Sequence, residues 1–133
     1  MNKILNSILV VDDEESIRWV LQKSLQKQGY KVSVAEDGNS ALDILSASEF
    51  SVVILDLNLP DMDGFEILSK INERKLKSSV IIITAQNSVK NAIEAMQLGA
   101  YDYFSKPFDI DEVNDLVKKA IDNYKNSILR LKI

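Results

Sequence analysis

The residues of this chain that could do chemistry are oxygen donors and one well-placed lysine. Neither histidine nor cysteine occurs among the 133 residues. That removes the commonest general base, any thiolate metal site and all disulfides together. What remains gathers where short apolar runs end. Residues 8–11 lead into Asp12 and Asp13, residues 52–55 into Asp56, residues 80–83 into Thr84, and Lys106 follows residues 101–104. Carboxylates crowded together repel, and some hold protons unless a cation joins them. An oxygen-only donor set suits a hard ion that keeps several waters, which points to Mg2+. A divalent ion, an ammonium and a hydroxyl around a carboxylate meet the needs of a transferring phosphoryl group, whose charge spreads over its equatorial oxygens. The carboxylate can itself be the nucleophile and form an acyl phosphate.

Such crowding requires a fold that brings four separate strand ends to one edge. The runs ILVV, VVIL and VIII are continuous and β-branched, as central parallel strands buried on both faces are. VSVA (32–35) and YDYF (101–104) alternate more, as edge strands do. Helical spacing lies between them: Ile17, Val20, Leu21, Ser24 and Leu25, with Gly29 as a stop; then Ala41, Ile44 and Leu45; then Phe65, Leu68 and Ile71. Val89, Ala92, Ile93 and Met96 mark a fourth helix ended by Gly99, and Asp111 is placed to cap a fifth. Ile17, Val20 and Leu21 define a buried face that leaves Trp19 off it, as a contact for a partner or the chain's own tail, or as a lid over neighbouring side chains. Met96 and its helical neighbours are expected in the core. Strands alternating with helices predict a single α/β domain with one doubly wound, five-stranded parallel sheet and five helices. If the strand order is 2-1-3-4-5, the first and third strands adjoin. The ligand crevice then opens at their carboxyl ends, where Asp12, Asp13 and Asp56 meet.

Composition narrows the class. A balance of 46% hydrophobic and 27% charged residues is that of a folded protein, and the net charge of −4 argues against nucleic-acid binding by this domain. No apolar run approaches the roughly 20 residues of a membrane span. The amino-terminal run is broken by Asn6 and Ser7 and ends in acids, so it is not a signal peptide, and a cytoplasmic location is expected. Val117, Ile121, Tyr124, Ile128 and Leu131 alternate spacings of four and three, a short heptad seam that is either a dimerising helix or a frayed tail, with Val117 and Ile121 more cheaply explained as core.

Plainer roles compete for several of these residues. Glu14 and Glu15 read as an acidic first turn complementing a helix dipole. Asp61 and Asp63 sit in P-D-M-D-G, where Pro60 sets φ and Gly64 is available for positive φ, so both are assigned to shaping a loop. An EF-hand fails there, because Leu59 and Lys70 fall where acids are required. Alternation alone does not fix which face of the fifth strand Tyr103 takes.

VVDDEES, DLNLPDMDG, ITA and SKPF, four motifs in order from about residue 8 to 124, resemble those of response-regulator receiver domains, the CheY-like family. SIRWVL, GAYDYFSKPFDIDE and the long last helix are most similar to the NtrC subgroup of sigma-54-dependent transcription activators. The resemblance brings the 2-1-3-4-5 order with it. It implies that Asp56 accepts a phosphoryl group from the phosphohistidine of a sensor histidine kinase. Asp12, Asp13, Asp56 and the backbone carbonyl of Asn58 would hold Mg2+. Lys106 would pair with the phosphate, and its bond to Pro107 would be cis. Thr84 would move to donate to the phosphate and Tyr103 would turn inward behind it, changing the face formed by the fourth helix, fifth strand and fifth helix. A homodimer through that face, or through the heptad seam of the last helix, is expected as a possibility beside it, and Asn58 and Gln86 are expected to tune the phosphate lifetime.

On this basis residues 1–124 are expected to form the receiver and 125–133 to extend the last helix toward an output domain, unless the receiver stands alone. The expected role is a signalling module rather than an enzyme. A haloacid-dehalogenase-type phosphatase is the alternative, with the same aspartyl phosphate, Mg2+, Thr or Ser and Lys. It needs a general acid two residues after the nucleophile, and Asn58 occupies that position. A receiver-like fold that no longer accepts phosphate is the third possibility.

Overall fold

The computed structural model describes residues 6–85 and 88–130. Its strands are β1 (Ser7–Val11), β2 (Lys31–Ala35), β3 (Val52–Leu55), β4 (Ser79–Thr84) and β5 (Asp102–Ser105). They alternate with helices α1 (Glu15–Lys27), α2 (Gly38–Ala47), α3 (Gly64–Glu73), α4 (Val89–Gln97) and α5 (Ile110–Arg130). All strand pairs are parallel and the order is β2-β1-β3-β4-β5, as expected.

Side-chain alternation along the strands builds two cores. Leu9, Val11, Val53, Leu55, Val80 and Ile82 face α2, α3 and α4, where Ala41, Leu45, Ile67, Leu68, Ile71 and Ala95 close the layer. Ile8, Val10, Val52, Ile54, Ile81 and Ile83 face α1 and α5, meeting Leu21, Leu25, Val113, Val117, Ala120 and Ile121. Full burial of each such Leu or Ile is worth about 1.5–3 kcal/mol relative to exposure. The three central strands are therefore held from both sides, and their carboxyl ends are rigid mounts for whatever follows them.

Several expectations are corrected. α4 turns its Val89, Ile93 and Met96 stripe to solvent, at 77%, 53% and 48% exposure, and buries Ala95 instead. The narrow space beside the sheet takes the small residue, and the stripe that periodicity assigns to the core is left outside. On α1, Val20 is exposed beside Trp19, and Leu21 and Leu25 are the buried positions. The carboxylate at the start of α5 is that of Asp109, which accepts from the Asp111 N–H at 2.8 Å; Asp111 lies two residues later, already inside the first turn. Among the described glycines only Gly29 and Gly99 have positive φ, so Gly64 is not needed for a left-handed turn. Of the heptad seam, Val117, Ile121 and Tyr124 are buried within the domain and Ile128 is half-buried. Leu131, like Gln86, lies outside the described residues. Asn123 and Ser79 tie this helix to β4: the Asn123 amide donates to Ser79 Oγ at 2.9 Å, and Ser79 Oγ donates to the Ala120 carbonyl at 2.8 Å.

Candidate functional site

Each acid of the site is mounted on the end of a buried strand. The Asp12 N–H donates to the Ala35 carbonyl at 3.1 Å, and the Asp56 N–H to the Val11 carbonyl at 2.9 Å, so the sheet ladder carries on through both residues. One carboxylate oxygen from each of Asp12, Asp13 and Asp56 lies within 4.8 Å of the others. Asp12 and Asp56 are buried and Asp13 is exposed, which leaves the cluster one open side. Lys106 reaches in from the end of β5, its Nζ 2.8 Å from Asp12 Oδ2, 3.0 Å from Asp56 Oδ2 and 3.7 Å from Glu14 Oε1. The Lys106 N–H donates to the Thr84 carbonyl at 2.9 Å, which links the two strand ends across the site, and Thr84 is fully buried. The Lys106–Pro107 peptide bond is cis.

Burial and charge set the protonation balance. Burial raises the pKa of Asp12, with the like charge of Asp56 adding to it, against the opposing bonds from Lys106 and the Glu14 N–H; the net shift is upward. Burial works to lower Lys106, but its bonds to Asp12 and Asp56 outweigh that and hold the ammonium above its ordinary range. Three carboxylates and one ammonium leave two negative charges uncompensated, the charge of one divalent cation. The donors are all oxygen, close enough to share one ion, and open on one side to the waters such an ion keeps. The residues therefore fit Mg2+.

The loop after β3 is built from local hydrogen bonds. Asp56 Oδ1 accepts from the Asn58 N–H at 3.1 Å, and Leu57 accepts from the Gly64 N–H at 2.8 Å. Asn58 and Asp63 form an antiparallel bridge across its base. Asp63 caps α3, accepting from the Phe65 N–H at 2.8 Å, in keeping with a loop-shaping role. Gly64 is required for close approach rather than for φ: a Cβ there would stand 2.5 Å from the Asp56 carbonyl oxygen.

Tyr103 is half-buried and packs on the α2–α3–α4 side of the sheet. Burial raises its pKa while a backbone hydrogen bond from Ser88, the residue that caps α4, pulls the other way; the net shift is upward. Two neighbours hold the acids in place, of which only Arg18 has no role assigned from the sequence. Arg18 Nη1 donates to the Asp12 carbonyl at 2.8 Å, and the Glu14 N–H donates to Asp12 Oδ1 at 2.9 Å, so both hold the Asp12 loop. Glu14 also fronts Lys106, a contact its helix-dipole assignment does not include. The available signal for Arg18 was its place one helical turn after Glu14.

The family model for the response regulator receiver domain matches residues 8–118. The chain is 43% identical over 116 residues to the DNA-binding transcriptional regulator NtrC of Klebsiella pneumoniae, covering 87% of this chain and 25% of that protein. It thus spans about a quarter of the length of the NtrC relatives it matches. It is also 43% identical over 114 residues to sporulation initiation phosphotransferase F of Bacillus subtilis, covering 86% of this chain and 92% of that one. The solution structure of the beryllofluoride-activated NtrC4 receiver domain dimer superposes with a TM-score of 0.85 at 36% identity, covering 90% of this chain and 98% of its own.

Proposed function

Because the chain belongs to the response regulator receiver domain family, we propose that Asp56 takes a phosphoryl group from the phosphohistidine of a sensor histidine kinase. A carboxylate oxygen of Asp56 bonds to phosphorus as the phosphorus–nitrogen bond of the donor breaks, its electron pair returning to a ring whose other nitrogen is protonated, which leaves an acyl phosphate here and a neutral imidazole there. The observation that carries this reading is the clustering of Asp56 with the carboxylates of Asp12 and Asp13, with Lys106 Nζ 3.0 Å from Asp56 and bridging it to Asp12. Asp12, Asp13, Asp56 and the Asn58 carbonyl hold Mg2+, which supplies positive charge to the phosphoryl oxygens. Lys106 trades its bond to Asp56 for one to the phosphate. Thr84 donates its hydroxyl to the phosphate, and Tyr103 follows it inward, reshaping the face of α4, β5 and α5. Any hydrolysis by this domain is no more than slow loss of its own phosphate, since Asn58 offers no acid for a leaving group.

The likeness to NtrC supports control of sigma-54-dependent transcription through an output region joined by residues 125–133. Self-association fits the α4–β5–α5 face better than the last helix, because Ile93 and Met96 are exposed there while most of the heptad seam is spent on the core. No helix among the described residues is long and apolar enough to cross a membrane. The test is labelling by acetyl phosphate. It should require Mg2+ and vanish in Asp56→Asn; persistent labelling of that variant removes Asp56 as the acceptor.

A further inference from the structure

Asp61 does more than turn a loop. The loop between β3 and α3 is closed at its base by the Asn58–Asp63 bridge and the Leu57–Gly64 hydrogen bond. Its tip crosses to another element altogether. Asp61 Oδ1 accepts from the Gly38 N–H and Oδ2 from the Asn39 N–H, each at 2.8 Å, at the first turn of α2. A helix leaves its first amides without partners inside the helix. In α2 the Ser40 N–H goes to Asp37 Oδ1 at 2.8 Å and the Ala41 N–H to the Asp37 carbonyl at 3.2 Å, so the helix supplies those two itself. The remaining pair is taken by a carboxylate from the loop that follows the acceptor. Met62 seals the same junction, lying so close over Gly38 that a Cβ there would collide with its side chain.

We propose that Asp61 is a positioning residue for the Mg2+ site, fixing the tip of the β3–α3 loop so that the Asn58 carbonyl is held toward Asp12, Asp13 and Asp56. This rests on the assignment of Asn58 as a ligand and Asp56 as the acceptor. The physical basis is that a loop pinned at base and tip has little freedom to rotate its intervening carbonyls. Pinned only at the base, it must be ordered by the ion itself, and that ordering cost is taken from the affinity. Two N–H groups at a helix start also suit a carboxylate better than a neutral group, because the helix dipole adds to both bonds. The Gly38 bond first, with the Asn39 bond adding to it, holds the Asp61 carboxyl below its usual range against the opposing effect of burial.

The experiment is a Mg2+ titration of the unphosphorylated full chain, followed by NMR shifts of the Leu57, Asn58 and Gly64 amides. Asp61→Ala should weaken Mg2+ binding roughly tenfold, the low end for groups that hold metal ligands in place, with Asp61→Asn between it and the parent. Asp37→Ala is the control, because it strips a cap from the same helix without touching the loop. It should leave Mg2+ affinity within about twofold while lowering helix stability like an ordinary lost cap. The slower acetyl phosphate labelling of Asp61→Ala should recover at saturating Mg2+. If Asp61→Ala binds Mg2+ like the parent while Asp13→Asn does not, Asp61 is only a cap and the proposal falls alone. If the parent chain itself shows no Mg2+-dependent shifts at these amides, the metal reading falls and takes the proposal with it.

Discussion

Lys106→Met isolates what the lysine does before any phosphate arrives. The substitution keeps a long unbranched stem and deletes the ammonium that lies 2.8 Å from Asp12 and 3.0 Å from Asp56. At such separations and an effective dielectric near 20, each attraction is worth about 6 kcal/mol before desolvation is set against it. Both carboxylates are almost wholly covered, with 3% and 4% of their side chains exposed. Removing one member of a buried charge cluster costs about 3–5 kcal/mol, since the partners stay behind uncompensated. The low end applies because Asp13 and Glu14 open the site to water, so the expected loss is about 3 kcal/mol. With a urea slope near 2 kcal/mol/M, the unfolding midpoint at pH 7 without Mg2+ should fall by about 1.5 M.

Its pH dependence has a defined sign. The Asp12 carboxyl already sits above its ordinary 3.8 in the folded chain, through burial first, and losing Lys106 moves it higher. A group with a raised folded pKa contributes stability that is full below its unfolded value and lost as pH climbs through the folded one. The deficit of the variant should therefore shrink as pH is lowered from 7 toward 4, and shrink again when Mg2+ supplies the missing positive charge. A variant that unfolds within about 0.3 M urea of the parent at pH 7, a difference within ordinary surface-mutation scatter, refutes Lys106 as the counter-ion of this cluster.

Two further substitutions test the geometry around it. Gly64→Ala places a Cβ 2.5 Å from the Asp56 carbonyl oxygen and 2.7 Å from Leu57 Cα, both main-chain atoms. Chemical denaturation should show a loss of about 1–3 kcal/mol, with weaker Mg2+ binding, whereas the nearest atoms to a Cβ in Gly38→Ala belong to the movable Met62 side chain, so that change should cost less. On α4, Ile93→Gln and Met96→Gln should each change the unfolding free energy by no more than about 0.5 kcal/mol, as exposed positions do. Ala95→Leu should cost about 1–3 kcal/mol by overfilling a closed space, and equal costs at all three positions would contradict the orientation of the helix.

The parts of the site that could be read from the sequence share one property: each follows a strand that periodicity identifies without ambiguity. A continuous β-branched run in a parallel sheet leaves its last residue at the carboxyl edge, so Asp12, Asp56 and Thr84 were located once the strands were. Lys106 came with them because the edge strand β5 ends just before it. Asp61 and Arg18 were not located, for a different reason. Their hydrogen bonds go to main-chain groups of other segments, Gly38 and Asn39 in one case and Asp12 in the other. Main-chain partners carry no residue type, so no pattern of letters marks the contact. PDMDG reads as turn chemistry whether or not its first aspartate crosses to α2.

Helix faces failed at α1 and α4 because periodicity gives the angle between apolar residues and not the depth of the space they face. On α4 the apolar stripe of Val89, Ile93 and Met96 lies on the outer side of the helix, and Ala95, far round the helix from Ile93, is the residue small enough to fit against the sheet. The consequence reaches the proposed switch. A helix buried chiefly through one alanine gains little apolar free energy from its present seat, compared with α3, which buries Ile67, Leu68 and Ile71. What holds α4 is polar: the amide of Asn72 on α3 donates to the Leu98 carbonyl at one end, and the Ser88 cap meets Tyr103 at the other. Thr84 lies on the strand that leads into that cap. A loss of one hydrogen bond near Ser88 is therefore comparable with the whole apolar attachment of the helix, whereas the same loss on α3 would be a small fraction. That difference in attachment, rather than proximity to Asp56, makes α4 the element that a small movement of Thr84 and Tyr103 can shift.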